Sequence, residues 1–193
     1  MKRRTFDSMI SIVGLFLARV LVVAGSLLTW AHNFVTDEVH NQLAAQQIYF
    51  PPKGSEAIAG KEFAPLQKYA GQQLTTGAQA KVYADSFIGI HLKKIGGGST
   101  YAQLSTKAQA NPDDQVLAGQ VATMFKGETL RGLLLNAYAF GTMGMIAGIA
   151  ALCAFIAGGV LLLLAALGLW HSRRVSPTDE IPAVHRELVG AAV

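Results

Sequence analysis

From Gly132 to Trp170 the chain carries no Asp, Glu, Lys, Arg or His. As one straight helix that run reaches roughly 58 Å, nearly twice the ~30 Å hydrocarbon core of a bilayer. Part of it must therefore stand outside hydrocarbon. Trp170, His171, Arg173 and Arg174 make an aromatic and basic end of the kind that sits at a membrane surface. Counting back about 22 residues, the length a bilayer requires, sets the opposite boundary near Gly144 to Gly148. Leu133 to Phe140 is then expected to continue as helix above the bilayer, packed on an external domain.

Met9 to Ala31 is a second apolar run, interrupted only by Arg19, and as a helix it spans roughly 34 Å. The bulk numbers agree: 15% of residues are charged and 51% hydrophobic, with a mean hydropathy of +0.35. An average soluble domain is about 25% charged, so the apolar excess needs a non-aqueous solvent. A plain cytosolic enzyme and a disordered chain are excluded. One cysteine, Cys153, excludes an intrachain disulfide.

The basic residues sort by position. Lys2, Arg3 and Arg4 precede the first run, Arg173 and Arg174 follow the second, and Asp37 and Glu38 lie beyond the first. This bias places both termini in the cytoplasm. The expected class is an all-α membrane protein, two transmembrane helices flanking a small helical extracytoplasmic domain. The expected layout is a cytoplasmic N-terminus 1–8, transmembrane helix 9–31, extracytoplasmic domain 32–143, transmembrane helix 144–170 and a disordered cytoplasmic tail 171–193. A cleavable leader ending at Val22-Val23-Ala24 is the rival for the first segment. The run's continuation to Trp30 and the presence of Arg19 count against it. Between Ala31 and Leu130 eight lysines balance eight acids, with no arginine, so no nucleic-acid groove is expected.

In the domain, helix one is predicted to continue through Phe34, Val35, Val39 and Leu43 to near Gln47. Pro51 and Pro52 then force an extended break. Thr76 is predicted to cap a helix reaching Ile95, which Gly96-Gly97-Gly98 ends. Ser99 is predicted to cap a short helix carrying Tyr101 and Leu104. Asn111-Pro112-Asp113-Asp114 reads as a start, with Asn111 as cap and Pro112 in the first turn. Val116, Leu117, Val121, Met124 and Phe125 are its predicted buried face, and the helix is expected to run through Gly127 into the second span.

Three residues stand out for interaction. Arg19 lies about ten residues from either end of its span, where insertion scales charge about 2.5–3.5 kcal/mol. It is expected to face a carboxylate on another chain, to line a polar seam, or to be tolerated by its apolar neighbours. Gly144 and Gly148 form a GxxxG pattern that lets helices approach closely, either between two chains or between the two spans of one chain. His32, Asp37 and His40 spread over more than one helical face. No triplet with the spacing of a metal or catalytic site appears, so no catalytic, cofactor or metal residue is assigned.

The chain from "VHNQLAAQQIYFPPK" onward, and in particular "KYAGQQLTTGAQAKVYADSFI" and "GETLRGLLLNAYAF", resembles a family of small two-pass actinobacterial membrane proteins, over most of residues 5–174. Its members are often labelled aromatic ring-opening dioxygenase, LigA-like. That label implies non-haem iron held by two histidines and one carboxylate. No position here matches that pattern, and no residue is carried over. The expected function is a non-enzymatic interaction or accessory subunit of a cell-envelope complex in the plasma membrane. Its partners would be the lipid bilayer and a membrane protein or second copy met through the transmembrane helices. The alternatives are the dioxygenase of the label and an extracytoplasmic binder of lipid or a small molecule. An apolar pocket between the external helices and Leu133–Phe140 would favour the binder.

Overall fold

The structure, a computed structural model, describes residues 3–174 and 176. The expected tail therefore lies outside the described residues beyond Arg174, except for Ser176. Two helices dominate: α1 (Arg3–Ala45) and α6 (Gln115–Arg174). Both are long and apolar enough to cross a membrane, and only 17% and 22% of their most apolar windows are buried. The core helix of a soluble protein would bury most of such a window. Among the described residues there is no strand, only an isolated antiparallel bridge between Tyr49 and Gln73.

The chain divides into two compact units. An apolar unit comprises residues up to Thr29 and from Ile149 onward; a helical unit comprises Trp30–Gly148. In the apolar unit, small residues set the helix contact. A methyl added at Gly14 would stand 3.6 Å from Ala165 Cβ, and one at Gly158 would stand 3.4 Å from Leu21 Cβ. Ala18, Ala151 and Ala165 are buried along the same seam.

In the helical unit α1 ends where Gln47 turns to φ 53°, and Pro51 and Pro52 hold the chain extended. The extended segment finds its backbone partners in a returning stretch: Phe50 N–H donates to Gln72 O at 2.9 Å and Leu74 N–H to Ile48 O at 2.8 Å. Short turns at Glu56–Ile58 and Lys61–Phe63 lead into α2 (Ala64–Gln67). α3 (Gly77–Tyr83) starts at Thr76, whose side chain caps Gln79 N–H while the Gln79 side chain accepts from the Thr76 backbone. A π-helical turn (Ala84–Ile88) follows, then α4 (Gly89–Ile95). Gly97 and Gly98 end α4 with φ of +56° and +82°, conformations glycine adopts without strain. Phe50, Ile58, Leu66 and Leu74 are almost wholly buried, and with Leu43 of α1 and Leu134 of α6 they form the core.

Three expectations are corrected. Thr100, not Ser99, caps α5 (Tyr101–Ala110), because Gln103 three residues on completes a reciprocal box that Ala102 cannot offer to Ser99. Asn111 does not cap α6. Asp114 N–H donates to Asn111 O at 3.1 Å, a turn with Pro112 in its second position, and Asp114 Oδ1 caps Leu117 N–H at 2.9 Å instead. The predicted buried face of α6 is also too wide. Met124 is buried against Leu92 and Leu104, whereas Val116 and Phe125 are exposed.

Candidate functional site

Within the helical unit, α1 and α6 leave a slot on one side of their seam. Its wider cavity holds about 510 Å³, inside the ~300–1,000 Å³ typical of ligand pockets. α1 and its exit contribute Gln42, Leu43, Gln46 and Ile48; α3 and the π-turn contribute Tyr83, Phe87 and Ile88; α6 contributes Leu130, Leu133, Leu134 and Ala137. A narrower cavity of about 260 Å³ is lined by Phe34, Val35, Glu38, Val39, Gln42, Ala137 and Phe140. The two share Gln42 and Ala137, so together they trace the seam from Phe34 to Gln46 along α1, about 18 Å.

The helical repeat builds this slot. Leu130, Leu133, Leu134, Ala137 and Phe140 recur at spacings of three and four on α6, and Val35, Glu38, Val39 and Gln42 do so on α1, with Gln46 just past its end. Leu43 and Leu134 are 5% and 6% exposed and belong to the core behind it. Phe34, Leu130, Leu133 and Phe140, by contrast, are 53–60% exposed. The rings are fixed: Tyr83 stands edge-on to Phe50 at 5.3 Å and against Phe87 at 4.8 Å. Burial pushes the Tyr83 hydroxyl above its ordinary pKa, so it stays a neutral donor.

A charged cluster lies beside the slot. Asp85, in the π-turn, accepts from Lys81 Nζ at 2.9 Å and from Arg131 Nη2 at 3.0 Å; Arg131 Nη1 also reaches Glu128 at 3.4 Å. Lys81, then Arg131, holds the Asp85 carboxyl below its usual range. Asp85 in turn raises Lys81 and Arg131. No local pattern signals the Asp85–Arg131 pairing, whose partners lie 46 positions apart. The π-turn that orients Asp85 was equally invisible.

The residues singled out from sequence fall elsewhere. Arg19 is exposed on α1 and makes no hydrogen bond or ion pair among the described residues. Gly144 and Gly148 lie against α1 of the same chain. A methyl at Gly144 would stand 3.1 Å from Val35 Cγ1, and one at Gly148 would stand 3.0 Å from His32 Nδ1. The His32 imidazole donates through Nδ1 to Gly144 O at 2.7 Å. His91 donates to Phe87 O at 2.7 Å, whereas His40 and Asp37 are exposed. Among the described residues no group of three His, Cys, Asp or Glu stands close enough to hold a metal ion. The described side chains therefore offer no ligand set for the iron that the dioxygenase label implies. No protein-family model, curated protein or solved structure matches the chain.

Proposed function

We propose that the chain is a two-pass membrane protein, both termini cytoplasmic, whose extracytoplasmic helical unit draws the hydrocarbon chain of a membrane lipid into the α1–α6 slot. The observation that carries this reading is the row of large apolar side chains, each more than half exposed, along a concave seam. Covering the exposed half of each is worth about 1 kcal/mol or more, a large sum against the ~5–15 kcal/mol that hold a domain together. Exposed apolar surface of this kind marks something that covers it. Length supports a lipid: the ~18 Å seam is close to one leaflet of a ~30 Å hydrocarbon core. Width supports it too. A partner helix is 10–12 Å across and would need more than about 1,000 Å³ over that length. The cavities of about 510 and 260 Å³ suit a single hydrocarbon chain.

The test is native mass spectrometry of the full chain in mild detergent. The expected result is one retained adduct of lipid mass, lost in Leu133→Asp, which sets a carboxylate on an exposed rim position that the core does not need. A bare wild-type chain, or an adduct equally occupied in Leu133→Asp, would sink the reading.

Arg19 favours a second role alongside the first. Neither apolar run contains an acid, so a second copy offers Arg19 nothing to pair with there. A different membrane helix carrying a carboxylate does, which is the accessory-subunit reading.

A further inference from the structure

We infer that the slot is selective for a lipid with an uncharged, hydroxyl-bearing head, such as a diacylglycerol or long-chain alcohol, and against phosphate-headed lipids. This rests on the slot reading above and adds the class of lipid. The wider cavity has no charged side chain in its lining; its polar members are Gln42, Gln46 and Tyr83. Amides and a phenol offer donors and acceptors that match a hydroxyl or an ester carbonyl. They do not replace the hydration of a phosphate, and burying an unpaired charge is far costlier than burying a hydroxyl.

The nearest cations face carboxylates, and the buried Arg131 Nε, which has no hydrogen-bond partner among the described residues, lies outside the lining of both cavities. Lys81 and Arg131 face Asp85 and Glu128, two positive charges against two negative ones. The one ionisable acid in the slot is Glu38, which accepts from Gln42 Nε2 at 2.7 Å; its charge repels an anionic head. Tyr83 gives the positive half of the selection. Its ring is pinned between Phe50 and Phe87, and its hydroxyl has no hydrogen-bond partner among the described residues. That hydroxyl is therefore open to a ligand oxygen in place of water. A lipid rising from the adjacent leaflet moves head first along α1 from Phe34 towards Gln46. Its head then arrives among Gln42, Gln46 and Tyr83 while one acyl chain trails past Phe140 and any second chain stays outside the slot.

The full chain in phosphatidylcholine nanodiscs, doped with photoactivatable diacylglycerol or with phosphatidic acid of the same acyl chains, tests this. Labelled peptides are read by mass spectrometry. Diacylglycerol is expected to label residues 34–48 and 130–140 with at least about tenfold preference over phosphatidic acid. Tyr83→Phe should weaken diacylglycerol labelling about fivefold, the worth of one hydrogen bond. Glu38→Gln should raise phosphatidic acid labelling and so narrow the preference. Equal labelling by the two probes, a preference for phosphatidic acid, or indifference to Tyr83→Phe overturns the selectivity while the slot reading stands. Absence of label from both probes overturns the slot reading itself.

Discussion

α1 and α6 run through both units, yet an exposed Leu or Phe means something different in each. In the apolar unit Phe16, Leu27 and Leu163 are 64%, 63% and 67% exposed and lie outside the cavity of about 460 Å³ that Ile10, Gly14, Leu164 and Ala165 help to line there. In the helical unit Phe34 and Leu133 are exposed to a similar degree, but they rim a concavity whose floor, Leu43 and Leu134, belongs to a packed core. Fractional exposure alone does not separate a lipid-facing surface from a ligand site. Concavity and a rigid floor do.

The largest expected difference between the units is in what an apolar truncation costs. Phe50 is 1% exposed and touches Tyr69 and Tyr83. Phe50→Ala should destabilise the helical unit by about 3–5 kcal/mol, read as protease cleavage between residues 48 and 110 of the full chain in nanodiscs. Leu163→Ala should change that readout by less than about 0.5 kcal/mol. Comparable losses from both would mean that the two units are not separately packed.

Arg19 sharpens the comparison from the other side. In the helical unit the cations Lys81 and Arg131 have carboxylate partners; in the apolar unit Arg19 has none among the described residues. Arg19→Leu should favour insertion of the first segment by roughly 2.5–3.5 kcal/mol in a translocation assay. A photocrosslinker at neighbouring Val23 should capture a protein carrying an acidic residue in its membrane helix. Capture should be lost in Arg19→Leu and kept in Arg19→Lys. Crosslinks to lipid alone would remove the partner.

Helix approach differs as well. A methyl at Gly77 would lie 2.9 Å from Ala137 O and 3.1 Å from Tyr138 Cα, both rigid backbone, whereas one at Gly158 meets only ordinary contacts at 3.4 Å and beyond. Gly77→Ala should cost about 1–3 kcal/mol, and Gly158→Ala should be neutral within about 0.5 kcal/mol. Thermal unfolding of the two variants in the same detergent separates them.

What was legible in the sequence was local. Pro51 and Pro52 hold the stretch after α1 extended, Thr76 with Gln79 starts α3, and three glycines end α4, because in each case the determinant lies within a turn of its effect. The misplaced caps failed where two local motifs competed. Thr100 outbid Ser99 through Gln103, and Pro112 served a turn rather than a helix start. The slot was half legible. The α6 stripe is periodic and its continuation as helix could be drawn from the sequence. Tyr83 and Phe87, however, reach it through a π-turn that no residue pattern announces, and Asp85 meets Arg131 only after the chain has folded back.

The smallest expected effect concerns that pair. Asp85 has a pKa below its ordinary value of 3.8, first through Lys81 and then through Arg131. A carboxylate whose pKa is depressed in the folded state adds stability above its unfolded pKa and loses it as the pH falls through the folded one. The helical unit should therefore keep a constant stability from about pH 8 to 5 and weaken below about pH 4. Its carboxylate is 36% exposed, so solvent screening should hold the contribution to about 1 kcal/mol or less. Asp85→Asn leaves Arg131 with Glu128 alone and removes the Lys81 contact. It should lower stability at pH 7 by that amount and flatten the part of the acid response that belongs to this pair. An unchanged acid response in Asp85→Asn would assign the loss to other carboxylates and leave the π-turn without an electrostatic role. A fully flattened one would show that the ion pair across the π-turn is the unit's main acid-sensitive contact.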